Sequence, residues 1–224
     1  MTDSIIQPDM FKLPGLTKEI VLFFNLQHFM FFHRRVNGSK IKSFGPAKRF
    51  HWENGPKKIT ALGGMIGAPL AVLIAEFAMA SGAEVIYSYG SAGSTGEEQL
   101  EIGELISPLN GYDETGICAD YEASSPVQKF TPFFDVKTCH AITSVNSFFR
   151  LTRPNINRYR ASQIQLIEME ASPLNCVINR FGNRYHPLFI ISDRVTPALE
   201  WENGGDSEGF KSGFELGLDL LTGI

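Results

Sequence analysis

The stretch KITALGGMIGAPLAVLIAEFAMASGAEVIYSYGSAG, residues 58–93, decides the fold. Its first five residues, 58–62, predict a buried strand, and residues 65–80 are apolar and rich in helix formers. Ser81-Gly82 is a typical helix end, and residues 83–89 predict a second strand. A strand, a helix and a strand at this spacing indicate a βαβ unit, in which a right-handed crossover joins a parallel pair.

The rest of the chain continues the alternation of strand and helix patterns. Strands are predicted at 19–24, 141–149, 166–170 and 186–191, with a short apolar piece at 105–109. Helices are predicted at 27–36, 171–181 and 207–221. Residues 111–134 are polar and predict a loop. These patterns indicate an α/β protein, in which ligands usually bind beyond the carboxyl ends of the strands.

The composition excludes several classes of protein. The chain has 224 residues and a formal net charge of -4, so it lacks the basic balance of a nucleic-acid binder. Three widely spaced cysteines, at positions 118, 139 and 176, predict neither a disulfide framework nor a CxxC metal site. No apolar run reaches the ~18–20 residues that span a bilayer. We therefore expect a cytoplasmic protein without a leader peptide, a nucleic-acid partner or a membrane anchor.

Two glycine-rich turns follow predicted strands. The backbone N–H groups of Gly90-Ser91-Ala92-Gly93 and the Ser91 hydroxyl are suited to contact ligand oxygens, but taken alone the motif is better explained as a plain strand-to-loop turn. Residues 63–69, which include Gly67, precede a helix. Glycines at that place suit an anion or a sugar hydroxyl, or else the close packing of a helix on a strand. Neither turn has the spacing of a dinucleotide or Walker motif.

Three acids lie at the ends of apolar strands. Glu168 and Glu170 are separated by one residue and share one face of a strand. Such a carboxylate can hold a vicinal diol through two hydrogen bonds, whereas the alternatives are solvated edge acids or acids in the first turn of a helix. Asp193 ends another strand, where partial burial would favour its protonated form and general acid catalysis. The alternative for Asp193 is a helix cap or a turn.

Two other kinds of site are not predicted. The five histidines, at positions 28, 33, 51, 140 and 186, show neither HxxxH nor HExxH spacing, so we expect no metal site. Ser91 has no histidine and aspartate partners at a recognisable spacing, and a GxSxG motif is absent. These absences in the sequence argue against a hydrolase triad.

Six short motifs, taken in order, carry a resemblance to a known family. They are GGMIGAP (63–69), YGSAGS (89–94), IGELISP (102–108), SVNSFF (144–149), IEMEAS (167–172) and ISDRV (191–195). From about residue 59 to its end, the chain resembles the nucleoside phosphorylase/nucleosidase superfamily. SAG and EMEA are especially similar to the methylthioadenosine/S-adenosylhomocysteine nucleosidase branch. The resemblance implies a single domain over residues 1–224, with a mixed central sheet flanked by helices.

The resemblance implies residues that bind the sugar. Glu170 would bind the ribose 2′ and 3′ hydroxyls, Met169 would pack beneath the sugar, and Glu168 would lie in the same wall. Gly67 would belong to the same substrate-binding set. Such an enzyme would need neither a metal nor a cofactor, with phosphate as the one co-substrate to consider.

The resemblance also implies residues for the base and the nucleophile. Phe148 would stack on the base, and Asp193 would act as general acid at a purine nitrogen. Gly90 and Ser91 would face the nucleophile. Protonating the base makes it a better leaving group, and general acid catalysis of this kind contributes ~10²–10⁴-fold.

The chain departs from the family pattern in its N-terminal part, residues 1–55. Phosphorylases of this family resemble one another in an arginine two residues before the Gly-Ser loop, where this chain has Ser88. Residues 23–27 do not match the family's Gly-Asp-Pro-x-Arg segment either. The Gly-x-x-x-Glu-Glu segment of the nucleosidases, which positions water, is also unmatched. Since a phosphate normally needs fixed cations, the missing arginines favour water as the nucleophile.

Three hypotheses follow. The first is hydrolysis of the N-glycosidic bond of a purine-type nucleoside, which releases the free base. The second is a phosphorylase with relocated phosphate ligands, such as Arg34, Arg35 or a residue of a neighbouring subunit. The third is a nucleoside-binding protein without catalysis. For all three, the resemblance implies a homodimer or a homohexamer.

Overall fold

The chain contains both strands and helices, as the sequence predicts, but their alternation is interrupted, because three strands follow one another between residues 42 and 63. The computed structural model describes residues 5–11, 14–96, 100–123, 125 and 127–224. Its strands are β1 (Glu19–Phe23), β2 (Lys42–Phe44), β3 (Ala47–Asn54), β4 (Lys57–Gly63), β5 (Val85–Ser94), β6 (Leu105–Asp113), β7 (Val127–Lys129), β8 (Lys137–Ser144), β9 (Leu166–Glu168), β10 (Arg184–Val195) and β11 (Trp201–Asn203). Its α-helices are α1 (Leu26–Arg35), α2 (Ala68–Ala80), α3 (Ile117–Asp120), α4 (Arg153–Ala161), α5 (Ala171–Arg180) and α6 (Glu208–Thr222). Two 3₁₀ turns lie at Pro8–Phe11 and Phe148–Arg150.

The centre of the sheet is parallel. β1 lies between β4 and β5, with Val21 opposite Ala61 on one side and Tyr87 on the other. The strands of the predicted βαβ unit, β4 and β5, are therefore parallel, but their expected direct pairing is wrong. The apolar run of β1 explains this difference, because a strand without a polar face is best buried between two neighbours and under helices on both faces.

β5 and β10 close part of the sheet into a ring. β10 pairs with β5 in parallel and, around Phe189 and Ile190, with β6 in antiparallel. From β6 the pairing continues through β8 and β9 and returns to β5, where Gly93 lies opposite Ile167. Parallel and antiparallel pairs thus occur in one sheet, and the predicted mixed central sheet flanked by helices is confirmed.

Helices cover both faces of this sheet with different kinds of core. On one face, α2 and α5 pack on each other through buried aliphatic side chains such as Ile74 and Val177. On the other face, α1 and α6 contribute aromatic side chains, among them Phe29, Phe32 and Phe214. Burying a side chain of this size stabilises the fold by roughly 2 kcal/mol. These two layers fix the strand ends where the candidate site lies.

The structure corrects the predicted ends of four strands. The strand predicted at 83–89 continues as β5 to Ser94, so the turn predicted at residues 90–93 is wrong. The strand predicted at 141–149 ends at Ser144, and residues 148–150 form a 3₁₀ turn. The strand predicted at 166–170 ends at Glu168, and Glu170 becomes the N-cap residue of α5. The strand predicted to stop at Ser192 and Asp193 continues to Val195, because β11 pairs with its last residues. A bulge between Ile191 and Asp193 shifts the register of β10 against β5. Pairing with distant segments decides where these strands end, and the local pattern of apolar residues does not predict that pairing.

The segment 111–134, predicted as a loop, is also corrected. It contains the end of β6, the short helix α3 and the edge strand β7, which pairs with β6 through Gly111 and Tyr112. A short edge strand carries polar residues on its open side, so its sequence looks like a loop. Among the described residues, no helix combines the length and the apolar character needed to cross a membrane.

Candidate active site

The candidate site begins where β5 and β10 end side by side. The bulge at Ser192 places Asp193 opposite Gly93, at the carboxyl ends of these parallel strands. A Cβ atom on Gly93 would lie 2.7 Å from Asp193 Oδ1. The glycine therefore leaves the space that the Asp193 side chain occupies, and this gives the last glycine of the YGSAGS motif a physical reason.

Both oxygens of the Asp193 carboxyl group accept hydrogen bonds. The indole Nε1 of Trp201 donates to Oδ1 at 3.0 Å, and the hydroxyl of Ser192 donates to Oδ2 at 2.7 Å. Asp193 is half-buried, so it remains accessible from the cavity beside it. Two donors on opposite oxygens fix the orientation of this carboxyl group.

A cavity of about 290 Å³ adjoins Asp193 and is mainly apolar. This volume is near the lower limit for small-molecule pockets. Its lining includes Phe148, Leu151, Ile156, Ile167, Leu199 and Trp201. The structure thus brings Phe148 and Asp193, both singled out in the sequence, to one cavity.

Both carboxyl oxygens of Glu168 accept hydrogen bonds from groups within the protein. The hydroxyl of Ser144 donates to Oε1, and the backbone N–H groups of Glu170 and Ala171 donate to Oε2 at 2.6 and 2.7 Å. The last two groups belong to the N-terminus of α5, where a carboxylate is favourable. Glu168 therefore holds the start of α5 in place, and its oxygens are occupied within the protein.

Glu170 meets the glycine-rich turn before α2. Its Oε1 accepts a hydrogen bond from the backbone N–H of Gly67 at 2.6 Å, and Gly67 is the N-cap residue of α2 with a φ of 92°. Burial raises the pKa of Glu170, and the nearby charge of Glu168 raises it further. Burial also raises the pKa of Glu168, although its three donors oppose that shift. We assign the negative charge of the pair to Glu168, since its donors stabilise the ionised form.

Met169 connects this acid pair to the cavity. It is half-buried and packs on the cluster that contains Ile156 and Ile167, two residues of the cavity lining. The structure thus groups Gly67, Glu168 and Glu170 at the N-termini of two helices, and Met169 packs on two residues of the cavity lining.

Gly90 and Ser91 face opposite sides of β5. Ser91 is exposed within β5, three residues before its end, whereas Gly90 is buried, and a Cβ atom on Gly90 would lie 2.7 Å from the ring of Phe24. Ser88 is also buried, and its hydroxyl shares a 2.7 Å hydrogen bond with the Tyr185 hydroxyl. The position that carries an arginine in the phosphorylases, by the resemblance above, is therefore a neutral buried pair in this chain.

Neither arginine of α1 is a free cation near these strand ends. Arg35 forms ion pairs with Glu215 and Asp219 of α6, and its hydrogen bond with Asp219 raises its pKa. Arg34 lies over the ring of Phe31, 4.6 Å from its centroid. Both residues are in the last turn of α1, about 12 Å along the helix from its start after β1.

Trp201 and Ser192 are the site residues that sequence reasoning missed. Trp201 belongs to a three-residue strand without an apolar pattern, eight positions after Asp193. The sequence marks Ser192 only as part of a strand end. The one signal in the sequence is a tryptophan soon after a strand-terminal aspartate, which is too general to predict a contact.

Comparisons with known proteins identify the fold. No model of a known protein family matches the chain, and no curated protein matches its sequence. The chain is similar in structure to purine nucleoside phosphorylase from Toxoplasma gondii in complex with immucillin-H, with a TM-score of 0.79 and 14% identity over 92% of this chain and 89% of that chain. It is also similar to uridine phosphorylase from Vibrio fischeri ES114, with a TM-score of 0.76 and 17% identity over 93% and 91% of the two chains.

These similarities define the class of fold. The chain has the nucleoside phosphorylase fold, and the resemblance read from its six motifs is confirmed at that level. The complex of the same uridine phosphorylase with 6-hydroxy-1-naphthoic acid gives a similar result, with a TM-score of 0.77 and 18% identity. At such low identity the match concerns the fold, and the activity has to be argued from the site.

Proposed function

We propose that this protein cleaves the N-glycosidic bond of a purine-type nucleoside by hydrolysis and releases the free base. The observation that carries this proposal is the shared cavity of Phe148 and Asp193 at the carboxyl ends of β5 and β10. Ile167, also in the cavity lining, is three residues before Glu170, which supports a sugar site close to the base site.

The base binds between the aromatic wall and Asp193. Phe148 supplies a ring for stacking, and the apolar side chains around it exclude water from the faces of the base. Asp193 then donates a proton to a ring nitrogen of the leaving base. This transfer neutralises the charge that develops on the base as the C–N bond breaks, and it lowers the barrier.

Glu170 binds the ribose as the bond breaks. Its pKa is raised by burial, so the free site favours a protonated carboxyl group. Two sugar hydroxyls that donate to its oxygens favour the ionised form, so binding a diol releases the carboxyl proton to solvent and leaves a carboxylate. The resulting carboxylate lies near the ribose and stabilises the positive charge of the oxocarbenium-like transition state.

Water is the favoured nucleophile because the site of the family's phosphate arginine is neutral. Ser88 and Tyr185 are buried and hydrogen-bonded to each other. A phosphate there would lose its hydration without gaining a positive partner, which is costly. Ser91, exposed on β5, is the hydroxyl that we assign to holding the water.

Phosphorolysis is the second candidate, and two observations favour it. Both structural neighbours are named as phosphorylases, and Arg153 contributes a positive charge to the described lining of the cavity. In this alternative, Arg153 would take the place of the missing arginines. Dependence of turnover on phosphate separates the two candidates.

The test is release of free base from a panel of purine and pyrimidine nucleosides, with and without phosphate. Release without phosphate supports hydrolysis, and release only with phosphate supports the second candidate. D193N and E170Q should each lose most of the activity, whereas E53Q, a matched change of an exposed acid on β3, should keep it. Tight binding without release would instead indicate a nucleoside-binding protein, and full activity of both site variants would refute the assigned roles.

We also propose that the protein assembles as a homodimer or homohexamer. Leu26, Met30 and Phe31 on α1 and Ile66 before α2 are exposed apolar side chains, and Leu26 lies beside Gly64 of the same turn. Such a patch is typical of a subunit interface. Light scattering after size-exclusion chromatography would give about 50 or 150 kDa for these assemblies, from 24.9 kDa per chain.

A further inference from the structure

The indole of Trp201 reaches Asp193 across a tight hairpin. In the antiparallel pair of β10 and β11, Asp193 lies opposite Asn203 and Val195 lies opposite Trp201. Asp193 and Trp201 are thus diagonal neighbours on one face of the pair, where long side chains contact each other. The hydrogen bond of 3.0 Å from Nε1 to Oδ1 is this diagonal contact.

The hairpin is built so that Trp201 has little freedom of position. The N–H of Thr196 donates to the carbonyl of Glu200, and Leu199 adopts a φ of 61°, which is unusual for a leucine. On the opposite face, Arg194 forms an ion pair with Glu202 at 2.7 Å. The strained Leu199 and this ion pair hold a strand of only three residues, which indicates that the position of that strand matters.

Trp201 is not placed there to fill a core. Its side chain is 59% exposed, whereas Trp52, the other tryptophan, is 5% exposed. The ring of Trp201 instead forms part of the cavity wall, and its single polar atom bonds to the carboxyl group that faces the same cavity. Both of its contacts therefore belong to the candidate site.

We propose that Trp201 is a positioning residue for Asp193 and determines which carboxyl oxygen carries the transferable proton. This inference rests on the proposed function. An indole N–H donates and cannot accept, so it requires Oδ1 as an acceptor. The proton of the acid form is then on Oδ2, beside the Ser192 hydroxyl, which can accept as well as donate.

The proton transfer follows from this arrangement. The proton leaves Oδ2 for a ring nitrogen of the departing base, and the electron pair of the C–N bond goes to the base. Asp193 becomes a carboxylate, and the Ser192 hydroxyl donates to Oδ2 in its new state. Oδ1 keeps the bond from Trp201 throughout, so the carboxyl group does not rotate during the reaction.

A kinetic experiment tests the role of the indole N–H. W201F keeps an aromatic wall and removes the donor, so we expect kcat to fall by about tenfold with KM changed by less than about twofold. W201A also removes the wall, and we expect KM to rise as well. In a D193A background, W201F should cause no further loss, since its effect acts through Asp193.

The outcomes separate this inference from the proposed function. Wild-type kcat in W201F, together with a strong loss in D193A, would overturn the role of Trp201 and leave the proposed function intact. Unchanged activity in D193A would overturn the proposed function itself. A tenfold loss in W201F that persists in the D193A background would show that Trp201 acts by another route, and it would also overturn the inference.

A second measurement tests the contact without any activity. The chain has two tryptophans, so a ¹⁵N-labelled sample gives two indole N–H resonances, which W52F assigns. D193A should move the Trp201 resonance upfield, because the N–H loses its acceptor. The Trp52 resonance is the internal control, since its buried Nε1 has no hydrogen-bond partner among the described residues. A Trp201 resonance that does not move would overturn the contact.

Discussion

Glu170 Oε1 accepts a hydrogen bond from the backbone N–H of Gly67 at 2.6 Å, although 103 positions separate the two residues. The contact joins the N-terminus of α2 to that of α5, and Glu168 lies at the same place. Two helix dipoles favour a negative charge there, whereas burial opposes it. The site therefore holds a carboxyl group whose ionisation is finely balanced, which suits a group that must respond to a bound sugar.

We predict that E170Q changes how stability depends on pH. The carboxyl pKa is 4.5 in the unfolded chain and higher in the folded protein, because burial and Glu168 raise it. Between these two values the folded protein holds a proton that the unfolded chain has released, so stability falls as pH rises through this window. Glutamine does not titrate, and urea unfolding from pH 5 to 9 should show a smaller decline for E170Q than for the wild type.

The same variant separates stability from function. The side-chain amide that E170Q introduces can still accept from the Gly67 N–H through its oxygen, but it cannot hold two ribose hydroxyls as a carboxylate does. We expect base release to fall by about 100-fold or more, with the fold retained. A parallel decline of wild type and E170Q with pH would contradict the raised pKa.

Glu168 is predicted to matter for folding. E168A leaves two backbone N–H groups and the Ser144 hydroxyl without their acceptor inside the protein, at a cost of about 3 kcal/mol. E168Q is the matched control, because its oxygen can accept from both N–H groups while its amide donates to Ser144. We expect E168Q to lower the free energy of unfolding, measured with urea, by less than about 1 kcal/mol. Equal costs for the two variants would refute the capping role.

G93A is predicted to reduce activity without unfolding the protein. The added methyl group would lie 2.7 Å from Asp193 Oδ1, so the side chain of Asp193 must turn away from its place. We expect at least a tenfold loss of base release, since a displaced acid cannot reach the base. The melting temperature should stay near the wild-type value because Asp193 is half-buried and its side chain can turn toward the cavity. In a D193A background the substitution should have no further effect, and a loss there would point to another cause.

His28 is predicted to reduce stability in acid. Burial between Tyr89 and Phe214 lowers the pKa of His28 from 6.5 to about 4. As pH falls from 6.5 towards 4, the unfolded chain gains a proton that the folded protein does not bind. This difference lowers the free energy of unfolding by up to about 3 kcal/mol. H28F should remove this part of the acid destabilisation in urea unfolding at pH 4 to 7. His140 is exposed, so H140Q is the control, and an equal effect of both variants would contradict the prediction.

Much of the fold could be predicted from the sequence because the signals for its helices and strands are local. The apolar runs of β1 and β4, the helix of α2 and the apolar spacing of α6 occur within short windows, and each element lies within a few residues of its predicted position. Which strands pair with each other could not be predicted, because strands of similar apolar content carry no sequence pattern that distinguishes their partners. The place of β1 between β4 and β5 is the clearest case.

The sequence by itself determined the α/β class, the glycine-rich turn before α2, and Glu170 and Asp193 as candidate acids. These follow from residue types and spacings that act over a few positions. Only the tertiary structure decided that Glu170 meets Gly67 and that Asp193 meets Trp201 and Gly93. The physical reason is that burial, charge and hydrogen bonding depend on which distant segments pack together, and a bulge or a short edge strand sets these contacts without a sequence pattern of its own.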